Sequence, residues 1–215
     1  MKKLQHLSVA VVGALLLTGC SARVEAPEPE THQQVDQFSS WAADRSEPYD
    51  IPERALRAYA FAAWKVREDS GCEVGWPTIA ALGTVLSDHG QAQGTTLNED
   101  GTTTTELRGL GTALKPNEMV EDTDGGQIDG TTNRDVPVGP FQIMPSRWEQ
   151  YATSTEADQP ANPDDIDDAA LTTAIIVCQG GDLTTPDGWD RGITAIVDDP
   201  ETVKEIHAVA KEYSR

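Results

Sequence analysis

The chain has 215 residues, with 16 Lys+Arg set against 36 Asp+Glu, a formal net charge of −20. That acid excess argues against nucleic-acid binding and against adhesion to anionic lipid through a basic patch, because both partners are repelled over most of the surface. The length suits one core of ordinary depth with a tail, and beyond the N-terminus no apolar run of about 18 residues could span a bilayer.

The first residues read as a processing signal. Lys2 and Lys3 precede an apolar run from Val9 to Leu17, too short to cross a membrane as a helix, and then Leu17-Thr18-Gly19-Cys20. That ending resembles a lipobox, which implies cleavage after residue 19 and a lipid on Cys20. The mature chain would then be exported, lipid-anchored to the cell membrane and facing the cell wall. Residues 20–49 hold Pro27, Pro29 and Pro48, many acids and few large apolar groups. They read as a tether, with Phe38 and Trp41 able to dock locally. Residues 50–215 form the expected folded domain.

Cys72 and Cys178 are the only cysteines after Cys20. In an exported chain they are expected to form a disulfide, the alternative being two separate buried thiols.

Asp50 and Glu53 fit a capping box with Pro52 in the first turn, and Leu56, Tyr59, Ala63 and Val66 then share one helical stripe. After Trp76-Pro77 a second stripe holds Ile79, Leu82 and Leu86, with Gly90 as the stop. Residues 91–137 are rich in Thr, Gly and Asp. Asp100-Gly101 could turn a hairpin between 95–97 and 103–107, with loop around it. Helices are expected from Pro145 to Tyr151, from about Pro163 to Gln179 with Cys178 on the inner face, around Trp189–Ile196, and from Pro200 to Tyr213. The expected fold class is mainly α.

Four segments in order carry a resemblance. They are Ile51-Pro52-Glu53-Arg54-Ala55-Leu56-Arg57-Ala58-Tyr59 with Trp76 to Gly83 and Ser87-Asp88-His89-Gly90; Asp122 to Gly130; Val138-Gly139-Pro140-Phe141-Gln142-Ile143-Met144-Pro145-Ser146-Arg147-Trp148; and Asp167 to Leu171 leading to Cys178-Gln179-Gly180-Gly181. Over roughly residues 51–195 these resemble exported lytic transglycosylases of the membrane-bound B-like type. The resemblance implies a lysozyme-like helical domain with a small β-hairpin beside a cleft. It also implies a peptidoglycan glycan strand as substrate, cut by one Glu that serves as general acid and then base.

At the position of that Glu stands Leu86, which carries no titratable proton. Such a group is typically worth about a hundred- to ten-thousand-fold in rate. The family's Tyr-Asn pair falls at Ile196 and Val197, so a second polar constellation has become aliphatic. Asp88 and Glu73 are the weak candidates for a displaced acid. The binding side is retained: Ser87, Gly139, Pro140, Gln142, Met144 and Trp148 match the family's cleft region, with Trp148 equally readable as core. The acidic run from Glu156 to Asp168 lacks the glycine turn and alternation of a calcium cage. The helix N-terminus accounts for Asp164 and Asp165. Neither a metal nor another cofactor is expected.

The sequence therefore predicts a catalytically inactive transglycosylase-like lipoprotein. It would bind peptidoglycan or regulate a cell-envelope enzyme or transporter. The alternatives are an active enzyme with a displaced acid, or a protein-binding module of the envelope.

Overall fold

The computed structural model describes residues 31–115 and 119–215. The signal (1–19), Cys20 and the first part of the tether lie outside the described residues. The described chain is mainly helical, with eight α-helices and no sheet among the described residues. They are α1 (Thr31–Asp36), α2 (Ser39–Tyr49), α3 (Glu53–Ser70), α4 (Trp76–Ser87), α5 (Pro145–Tyr151), α6 (Ile166–Cys178), α7 (Pro186–Thr194) and α8 (Pro200–Tyr213).

The central pair is α3 and α6. α6 buries Ile166 through Ala174 continuously, then Ile176 and Val177, so it is covered on all sides as a core helix must be. α3 buries Leu56, Tyr59, Phe61 and Val66 along its inner face. α4 rests on α8 and α3. The Cys72–Cys178 disulfide forms, joining the loop after α3 to the last residue of α6.

Residues 31–49 depart from the tether reading. α1 and α2 pack on α3, with Val35 and Ala42 fully buried. The ring of Trp41 meets Trp76 edge-on, as does Tyr49, at 5.2 and 5.3 Å between centroids. Aromatic burial of this kind outweighs the propensity penalty of Pro48 in the helix. The capping box also differs. Asp50 closes α2 in the left-handed conformation, and α3 begins after Pro52 with no side-chain cap.

The hairpin is reduced to a tight turn. The Asn98 amide donates to the Thr102 carbonyl and a single bridge joins Leu97 to Thr103, with no strand formed. Thr103 pairs instead with the Asp164 carbonyl, and the Ile166 amide with that of Gly101. The turn is thus spent on holding the start of α6.

That start gathers three carboxylates in one turn. Asp165 is the N-cap, accepting from the Asp167 amide. Asp167 faces Arg54 of α3, and Asp168 accepts from the Thr155 amide and hydroxyl and the Asn162 amide. Burial, then the neighbouring charge of Asp167, pushes the Asp165 carboxyl up to about 7, with Arg54 opposing. A carboxyl raised by folding is protonated in both states below its unfolded value, so the fold carries no penalty there. The penalty grows as the pH climbs towards 7 and is complete above it. Asp165→Asn keeps a good cap and removes the charge. It is therefore expected to melt higher than the native protein at pH 8 and at the same temperature at pH 4; equal pH profiles would contradict this.

Candidate functional site

Of the residues matched to the family cleft, Ser87, Gly139, Pro140 and Gln142 are joined by hydrogen bonds at the C-terminal end of α4. Leu86 is fully buried and belongs to the main apolar core, as do Ile196 and Val197. Its backbone carbonyl accepts from the Thr112 hydroxyl at 2.9 Å. After Ser87 the chain turns through Asp88, His89 and Gly90, all with positive φ. Ser87 stitches this turn to the 139–142 loop: its hydroxyl donates to the Pro140 carbonyl at 2.6 Å and accepts from the Gly90 amide at 2.8 Å.

The 139–142 loop is held from both sides. Gly139 sits at φ +70° and a Cβ there would lie 1.9 Å from the Pro163 carbonyl oxygen, so the position admits only glycine. Gln142, also at positive φ, is completely buried. Its amide nitrogen donates to the Gly139 carbonyl at 2.9 Å, and its amide oxygen accepts from the Leu110 amide at 2.7 Å. Met144 is half-buried at the entry to α5, and Trp148 is 5% exposed and packed in the core.

The Leu110 and Thr112 contacts belong to a strap that sequence reading left as loop. Residues 107–110 run beside 137–142: the Gly139 amide donates to the Leu107 carbonyl and the Gly109 amide to that of Pro137. The strap then crosses Leu86 through Thr112. Ala113 is fully buried, and its carbonyl accepts from the Asp198 amide at 3.0 Å. Lys115 ends the crossing with an ion pair to Asp198 at 2.6 Å. Segment 107–115 therefore ties together Leu86, the 139–142 loop and Asp198, next to Val197. Its Gly-Leu-Gly-Thr sequence has neither helical nor strand period; tertiary hydrogen bonds and the burial of Leu107 and Ala113 specify it.

At the turn after α4 runs a polar chain, buried at Tyr59 and His89 and half-buried at Thr84 and Tyr213. Tyr59 Oη meets His89 Nδ1 at 2.9 Å, His89 Nε2 meets Thr84 Oγ1 at 3.3 Å, and Thr84 Oγ1 meets Tyr213 Oη at 3.0 Å. Burial lowers His89 to about 4, against the weaker pull of Asp50, so the imidazole is neutral at pH 7. Burial likewise holds the Tyr59 hydroxyl well above its ordinary value. Gly83 leaves room for this contact, since a Cβ would lie 2.3 Å from Tyr59 Oη. The chain satisfies buried groups and fixes the turn after α4.

Neither rescue candidate faces Leu86 from the strap side. Asp88 is exposed at the left-handed C-cap of α4, where its charge bears on Tyr59 and Tyr213. Glu73 precedes the other end of the helix, in a recess with Cys72 and Asp182. Ten residues of helix separate that end from Leu86, about 15 Å.

Asp122, Asp124 and Asp135 bring carboxylate oxygens within 4.8 Å of one another, a grouping not read from the sequence. By ligand type they could hold a hard cation. Each also accepts from its own loop: Asp122 from the Gly125 amide, Asp124 from those of Gly126 and Ile128, Asp135 from the Thr123 amide and hydroxyl. In the acidic run before α6, Asp164 forms a two-point pair with Arg108 at 2.7 Å for both bonds.

No family model, curated protein or solved structure matches the chain. No helix among the described residues is long and apolar enough to cross a membrane.

Proposed function

We propose that the protein is a catalytically silent, lipid-anchored relative of lytic transglycosylases. It binds peptidoglycan, or regulates a cell-envelope enzyme or transporter, without cleaving glycan. One observation carries the reading. The side chain at the position where the resemblance requires an acid is an aliphatic group with no exposed surface, under a strap bonded to its own backbone. A general acid must present a proton within hydrogen-bond reach of the leaving oxygen; Leu86 has none to present. Ser87 and Gln142 support the same reading, because their polar atoms are bonded internally rather than offered to a sugar.

The reading is tested with Leu86→Glu in a digest of purified sacculi. The new carboxyl would enter an apolar core with no charged partner, where ionisation is costly. The variant is expected to melt at a lower temperature than the native protein and to release no anhydro-muropeptides. Cleavage regained by this one change would show that only the proton donor had been lost; anhydro-muropeptides released by the native protein in the same digest would contradict the reading.

A further inference from the structure

We infer that the recess between α7 and α8, whose lining shares no residue with the 107–115 strap, is a binding site for an amino-sugar peptide carrying both carboxylates and a free amine, as a peptidoglycan stem does. The inference rests on the peptidoglycan reading above and places its contact away from Leu86. The recess has a volume of about 730 Å³, which falls in the range of small-molecule sites.

The indole of Trp189 lines it. The ring is half-buried and doubly anchored: Nε1 donates to the Thr78 hydroxyl at 3.2 Å, and His207 meets the ring edge-on at 5.4 Å between centroids. An aromatic face fixed before binding stacks on a sugar or peptide plane at little entropic cost.

The walls differ in sign. α8 contributes Lys204, His207 and Lys211, one helical turn apart, and α7 contributes Asp187 and Asp190. Two of the chain's six lysines thus stand on one wall, in a molecule with a net charge of −20. Lys204 is held by Glu201 at 2.6 Å, but Lys211 makes no ion pair among the described residues. A simple anion would meet the aspartates and a simple cation the lysines. A ligand with both charges, spaced along a peptide, is complementary to both walls.

The test uses the full mature chain and two probes: purified sacculi in a pull-down, and a soluble N-acetylmuramyl peptide with a diamino-acid stem in calorimetry. The variants are Lys211→Glu, which changes an exposed side chain and leaves packing untouched, and Trp189→Ala. The native protein is expected to bind both probes. Trp189→Ala should weaken binding of the soluble probe by up to about tenfold, the upper value of a stacked aromatic contact. Lys211→Glu should weaken it by about fivefold, more at low salt than at high. Acetylating the stem's free amine should weaken it as well. Unchanged affinity in both variants, or binding to sacculi without binding to the soluble peptide, overturns the groove assignment and leaves the peptidoglycan reading standing. Binding to neither probe overturns the groove assignment and the peptidoglycan-binding arm of the proposed function together.

Discussion

Asp167→Ala is expected to cost about 3–5 kcal/mol, the range for breaking one side of a buried ion pair. Arg54 is 8% exposed and Asp167 not at all. The guanidinium donates through Nη1 to Asp167 Oδ1 at 2.7 Å and through Nη2 to Oδ2 at 2.6 Å. It donates further to the Glu99 and Asp100 carbonyls at 3.0 and 3.1 Å. One side chain thereby ties α3 to α6 and to the 98–101 turn. Burial alone would lower the Arg54 pKa, but the bond and charge of Asp167 outweigh it and raise it. Without the carboxylate a buried cation keeps only neutral acceptors. Thermal unfolding should shift down by on the order of 10 °C. The double variant Arg54→Met with Asp167→Leu should recover much of the loss, since neither charge is then left alone. A loss below about 1 kcal/mol in the single variant would show that the pair is hydrated and not structural.

Cys72→Ser with Cys178→Ser is expected to cost about 4–5 kcal/mol in the chain-entropy account, given the sequence separation of 106 residues. The bond closes the segment from the end of α3 to the end of α6, which holds α4, α5 and α6. Every element of the strapped site except Ile196-Val197 lies inside that loop. Urea unfolding of native and double-variant protein measures the difference, and dithiothreitol added to the native protein should reproduce it. A change under about 1 kcal/mol would mean that the unfolded chain stays compact without the bond.

The parts of the fold legible in the sequence are those where one helical face is apolar and the rest is not. The stripes through Leu56 and Val66, Ile79 and Leu82, and Val203 and Ile206 each became a helix burying those residues. The disulfide was legible for a simpler reason: two cysteines after Cys20 leave one pairing. α2 was not legible, because Pro48 and the surrounding acids imitate a linker. Its stability comes from Trp41 and Tyr49 meeting Trp76, 35 and 27 residues on, and no local pattern announces such contacts.

The site divides in the same way. Leu86 as a core leucine follows from its stripe with Ile79 and Leu82, and its burial agrees. The strap could not be read. Leu110 and Thr112 act through single hydrogen bonds to Gln142 and to the Leu86 carbonyl, in a segment of small residues without period. The 98–102 turn was recognised from Asp100-Gly101, but its partners are Asp164 and Ile166 and not a second strand. Local turn chemistry does not say what the turn will hold. The recess at Trp189 needed two helices to be placed side by side before its charges could be seen as opposing walls.

A strapped cleft and an open recess divide the two halves of the account. Leu86, Gln142 and the 107–115 segment explain why glycan would not be cut. Trp189, Lys211 and the α7 aspartates explain how the same molecule would still hold a wall fragment.

The most direct measurement is mass spectrometry of soluble products after the native mature protein is incubated with purified sacculi, beside an active transglycosylase as positive control. The account predicts no 1,6-anhydro-muropeptides above the no-protein background. Their accumulation in proportion to protein and time would contradict it.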